Sequence, residues 1–170
     1  TGAATERWTD NDGVGKNPKS VANEWTPMCL NLITYTGIDT TQISQIQFTM
    51  FAAGAYYFDD VTAQMFAEGE GAALEEGPVA LLETPVQAFE AATADSIYSD
   101  YQADVSIDAM AHSGAASLKA SYAEGEWHAF GAYPATRPVD ASGFDKVCFW
   151  IMDTTANNNG LADNTVGVSL

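Results

Sequence analysis

Apolar and polar residues alternate along most of this chain with a period of two. Leu118, Ala120 and Tyr122 are interleaved with Ser117, Lys119 and Ser121, the pattern of a strand with one buried and one wet face. Ile46, Phe48 and Met50 alternate with Gln45, Gln47 and Thr49. Met28, Leu30 and Leu32 repeat the pattern after Trp25 and a Pro27 that marks an irregular strand start. The run from Val147 to Met152 is apolar on both parities. It predicts a central strand, with the core on one face and another cover on the other. Stretches at 6–9, 55–63, 104–110, 127–133 and 165–170 bring the total to about nine strands. Turn dipeptides separate them: Asp12-Gly13, Ser113-Gly114, Ser142-Gly143 and the run from Asn157 to Gly160. Short strands at this spacing predict an all-β fold, an antiparallel β-sandwich of the jelly-roll type.

The exception is 65–86. It is rich in Ala, Glu and Gly, carries Glu68, Glu70, Glu75 and Glu76 beside glycines, and holds Pro78 and Pro85. Short helical turns are expected at 72–76 and 79–83, within an acidic linker. The chain thus divides into 1–64, the linker 65–86, and 87–170.

Charge narrows the partners. Six basic residues face 23 acidic ones, a net charge of −17. Such a surface repels phosphate backbones and anionic lipid, and it suits calcium and neutral polymers. No stretch approaches the roughly 20 apolar residues of a membrane-spanning helix, so no membrane insertion is expected. No signal segment precedes Thr1, and the expected setting is extracellular or at the cell surface. Cys29 and Cys148 both lie in apolar strand-like runs. They are either two buried thiols or a disulfide that ties the two parts together in an oxidising compartment.

Several of these pieces together resemble a family. Phe89-Glu90, Gly114 to Lys119, Trp127 and Phe144 to Ile151 resemble the opening half of carbohydrate-binding modules with the galactose-binding-like jelly roll. The segments 25–32, 43–51 and 56–61 resemble the closing half. The halves stand in permuted order. The resemblance therefore implies a sandwich that closes on itself as a permuted fold, exchanges halves between chains, or is one period of a longer array. It also implies a structural calcium between the first and last strands, with Glu90, Asp59 and Asp60 matching that site. Hard carboxylate oxygens suit this ion. The alternative for Asp59-Asp60 is an acidic strand end facing water. The fragment from Asp10 to Gly13 lacks the downstream bidentate Glu of a calcium loop and is read as a polar turn.

Sugar binding requires exposed aromatic faces flanked by groups that bond hydroxyls. Trp127 and its neighbour His128 sit in a polar setting near Glu124 and Glu126. Trp150 lies on the outward parity of its strand, where it either floors a groove with Met152 or packs under a loop. Trp8 is placed for a ligand or an interface. Trp25 matches a position that is usually core in the resembled modules. For catalysis, His112 and His128 are few and scattered, no acid partner of His112 is evident, and no carboxylate pair stands out. The expected function is a non-catalytic carbohydrate-binding module for a neutral polysaccharide. The alternative is a filament subunit that self-assembles by half-sandwich exchange.

Overall fold

The computed structural model describes residues 5–7, 23–32, 39–50, 54–65, 82–90, 92–99, 103–122, 128–134, 136–154 and 166–169. These residues form an all-β structure of two antiparallel sheets. In chain order the strands are β1 (Thr5–Arg7), β2 (Thr26–Asn31), β3 (Ile46–Met50), β4 (Gly54–Met65), β5 (Leu82–Gln87), β6 (Ile97–Ser99), β7 (Asp104–Asp108), β8 (Ser117–Tyr122), β9 (His128–Ala132), β10 (Lys146–Asp153) and β11 (Val166–Ser169). One sheet has the order β1-β11-β3-β9-β6. The other runs β2-β10-β4-β8-β7, with β5 also paired to β4. Among the described residues no helix is long and apolar enough to cross a membrane.

All nine expected strands are present, and two more, β5 and β6, join them. β5 occupies the end of the expected linker. Pro85 hides it from a periodicity reading, yet β5 is an edge strand paired with β4 alone, where a missing N–H is tolerated. β6 is three residues long and follows a single 3-10 turn at Ala94–Ser96, too short to show a period. Pro27 is explained in the same way: it lies within β2, at the other edge of that sheet.

Each sheet mixes strands from both ends of the chain. β4 lies between β10 and β8, and β3 between β11 and β9. Four phenylalanines meet where the sheets face each other. Phe48 (β3) stacks on Phe58 (β4) at 4.2 Å between ring centroids, and Phe130 (β9) and Phe149 (β10) complete the group at 5.2 Å from Phe58 and 5.1 Å from Phe48. All four are buried. Packing at this density makes the centre of the sandwich sensitive to any loss of volume.

Val147, Phe149 and Ile151 of β10 join this core. On the opposite parity Cys148 and Met152 are also nearly inaccessible and Trp150 is half-buried, so most of the outer face of β10 is covered as its double-parity pattern predicts. Part of that cover is covalent. Cys29 and Cys148 stand opposite each other in the β2–β10 ladder, with Cα atoms 4.0 Å apart, and form a disulfide.

β4 changes parity midway. Tyr56 and Phe58 face the core, and then Val61 and Ala63 do. The switch is a β-bulge: between the pairs Cys148↔Thr62 and Trp150↔Asp59 the β4 strand carries one extra residue. Asp60 takes a left-handed conformation there, with φ 48°, which aspartate tolerates better than most residues. Bulges re-aim side chains, and this one presents two consecutive carboxylates to a single loop.

Candidate functional site

That loop is the 109–116 connection between β7 and β8, and three carboxylates hold it. The buried Asp59 accepts from the backbone N–H of His112 at 2.8 Å and of Ser113 at 3.3 Å through Oδ2, while its Oδ1 accepts from Asp60 N–H at 2.8 Å. Burial pushes the Asp59 carboxyl up from its ordinary value, against the pull of the N–H donors of Asp60 and His112. Asp60 binds the same two residues through their side chains. Its Oδ2 lies 2.7 Å from His112 Nδ1, and its Oδ1 accepts from the Ser113 hydroxyl at 2.8 Å. Glu90 takes the far side of the loop, accepting from Ala115 N–H at 2.9 Å and Ala116 N–H at 3.2 Å.

Backbone conformation makes this convergence possible. Gly114 has φ +65°, and a Cβ there would lie 2.1 Å from Glu90 Oε1. Glycine both permits the turn and clears the carboxylate's path. Phe89, immediately before Glu90, has φ 60°, a rare conformation for an aromatic residue. It is held by the buried Gln87, whose Oε1 accepts from Phe89 N–H at 3.0 Å and whose Nε2 donates to Tyr133 O at 2.8 Å. Left-handed non-glycine residues of this kind cluster at ligand clamps and switch regions. Here Asp60 lies in β4, and Phe89 follows β5 and precedes Glu90, which bonds the same loop.

The loop in turn positions Trp150. The His112 ring stacks on Trp150 at 3.9 Å with only 11° between planes, and Trp25 meets His112 edge-on at 5.8 Å. Trp150 is half-buried. It borders an open groove of about 310 Å³ whose other walls include Asp60, Ser113, Gln64, Pro85 and Ala88. Trp150 thus packs under a loop and also borders a groove. Its groove partner is not Met152, which is buried.

Among the remaining site expectations, Trp127 and Trp8 lie outside the described residues. The backbone of His128 pairs with Met50 in the β3–β9 ladder, and its side chain is outside the description. Trp25, usually core in the resembled modules, is half-buried here beside His112. Asp59, Asp60 and Glu90 do converge on one loop, and they spend oxygens on its N–H and O–H donors. Among the described residues no group of three or more His, Cys, Asp or Glu side chains is arranged to hold a metal ion.

The chain matches no family model, no curated protein and no solved structure. Its chemistry must be read from this geometry. His112 and Ser113 both bond to Asp60 and not to each other, whereas a nucleophile relay places the imidazole between hydroxyl and carboxylate. In this arrangement both side chains hold the loop against Asp60. What the groove offers a ligand is an aromatic ring, a carboxylate, a hydroxyl and an amide within one open concavity.

Sequence reasoning missed the pairing of His112 with Asp60, because 52 positions separate them. It also missed a second aromatic group at the edge of the five-stranded sheet. Tyr98 and Tyr133 lie 5.2 Å apart, with the Arg137 guanidinium 4.5 Å over Tyr133. Tyr98 fits there because Gly131 lacks a side chain: a Cβ at Gly131 would lie 2.7 Å from the tyrosine oxygen. The tyrosine hydroxyl donates to Ile46 O at 3.2 Å. This bond helps anchor β6, and no local pattern signals it, because Tyr98 and Gly131 lie far apart in the chain.

Proposed function

We propose that this chain is a non-catalytic extracellular module that binds a neutral polysaccharide in the Trp150 groove. The observation that carries the reading is the groove itself: an aromatic ring held in place by His112, bordered by Asp60, Ser113 and Gln64. Pyranose rings present an apolar C–H face to such a ring and hydroxyls to the flanking oxygens and amides, which is the usual division of labour in a small-ligand site. A net charge of −17 favours uncharged chains over uronic-acid polymers.

The test is affinity electrophoresis and calorimetry against soluble neutral glucans, mannans, galactans and xylans. Trp150→Ala is expected to weaken binding by more than about tenfold, as truncation of a central tryptophan does in other binding sites. Trp150→Phe, which keeps a ring against His112, should lose less. Equal affinity in all three proteins would rule out this groove as the binding site.

A structural calcium held by Glu90, Asp59 and Asp60 is a separable part of the reading. If it is correct, chelation lowers the melting temperature, because an ion bound to the native state alone stabilises it by mass action. An unchanged melting temperature in excess chelator would leave the tying of the loop to hydrogen bonds alone.

A further inference from the structure

A second concavity, of about 490 Å³, adjoins the Trp150 groove, and Pro85 and Ala88 line both. Its character is different. Val86, Phe89, Pro138 and Val139 give it apolar walls, and Glu90 and Asp140 are the ionisable residues that line it. Among the described residues no basic side chain lines either groove. Both volumes lie within the roughly 300–1,000 Å³ typical of ligand sites.

We propose that the two grooves form one binding cleft for a chain of several sugar units, and that the second groove selects a unit bearing an acetamido group. The proposal rests on the sugar-binding reading of the Trp150 groove and extends it to a substrate class. Bare hydroxyls would be poorly served against Val86, Pro138 and Val139, because a polar group buried without a hydrogen bond carries a penalty. A methyl group gains from the same walls. An acetamido group places that methyl beside an N–H donor, and the carboxylate of Asp140 is an acceptor at the same concavity. Asp140 takes Ser142 N–H at 2.9 Å, and the Ser142 donors hold its carboxyl below the usual range. It is an ionised acceptor, and a carboxylate has about four lone-pair sites in all. The absence of basic lining residues disfavours anionic units in both grooves.

Next to the shared residues, Gln87 accepts from the N–H of the left-handed Phe89 and ties the end of β5 to Tyr133. A pre-formed path of this kind lowers the ordering cost of binding an extended chain.

The probes are β-1,4-linked oligomers of glucose and of N-acetylglucosamine, from one to four units, titrated calorimetrically into the full chain. Three variants accompany the wild type: Trp150→Ala, Asp140→Ala, and Thr136→Trp, the last placing a large side chain at an exposed lining position of the second groove. The expected result is a rise in affinity of about tenfold or more from one to three units, with acetylated oligomers ahead of unacetylated ones. Thr136→Trp should remove the length dependence while leaving single-unit binding intact, and Asp140→Ala should narrow the preference for the acetylated series. Trp150-dependent binding that ignores length, acetylation and Thr136→Trp would overturn the joined cleft and leave the Trp150 site standing. No binding by either series would overturn the joined cleft, and the Trp150 reading falls only if the glucans, mannans, galactans and xylans also fail to bind.

Discussion

Asp59→Ala is expected to destabilise the chain by about 1–3 kcal/mol, the range for leaving buried N–H donors without their acceptor. The residue is fully buried, and three backbone N–H groups donate to it. Alanine would leave the donors of Asp60, His112 and Ser113 without their acceptor. The loop that carries His112 would then lose one of its three carboxylate anchors, and Trp150 would lose its stacking partner in the resulting disorder. Equilibrium denaturation in urea measures the loss, and a change below about 1 kcal/mol would show that the loop does not depend on this carboxylate.

The same residue sets a pH signature. Burial raises the folded-state value of Asp59 above its ordinary 3.8, so in the interval between the two the native state binds more protons than the unfolded one. The contribution of this group is therefore fully present below 3.8 and is lost as pH rises through the folded-state value. The stability gap between wild type and Asp59→Ala should widen as pH is lowered across that interval. A gap that narrows would reverse the sign of the shift and with it the claim that desolvation dominates.

Phe58→Ala is the second large effect, expected at about 3–5 kcal/mol from lost burial plus the cavity left behind. Phe58 is fully buried and meets Phe48, Phe130 and Phe149. These neighbours come from both sheets and from both ends of the chain. The substitution should lower the denaturation midpoint while keeping one cooperative transition, because both sheets lean on this one cluster. A loss below about 1 kcal/mol would mean that the four rings are not the centre of the core. Paired with Asp59→Ala, it separates the two adjacent β4 residues. One holds the sheets together, and the other holds the loop.

Adjacent residues can differ this much because of the bulge. In a regular strand, the inward parity of Tyr56 and Phe58 would continue to Asp60. The extra residue shifts it to Val61 and Ala63, leaving Asp59 and Asp60 turned to the 109–116 loop. A period-two reading sees Asp59-Asp60 as a strand end. The bulge shows itself only against β10, as a register shift between Cys148 and Trp150.

What the sequence determined alone is what depends on near neighbours. Alternation along β3, β8 and β10 specified strands and the faces they bury, since side chains two apart share a face whatever the strand pairs with. The double apolar parity of β10 specified a strand covered on its core face and over most of the other. The tertiary structure decided everything that depends on residues far apart in the chain meeting in space. It placed Cys29 opposite Cys148, paired β5 with β4 despite Pro85, and set His112 between Asp60, Trp25 and Trp150. It also joined two grooves through Pro85 and Ala88. None of these follows from local period, because closing the chain over 50 or more positions depends on strand order and register, and one extra residue in one strand redirects both carboxylates.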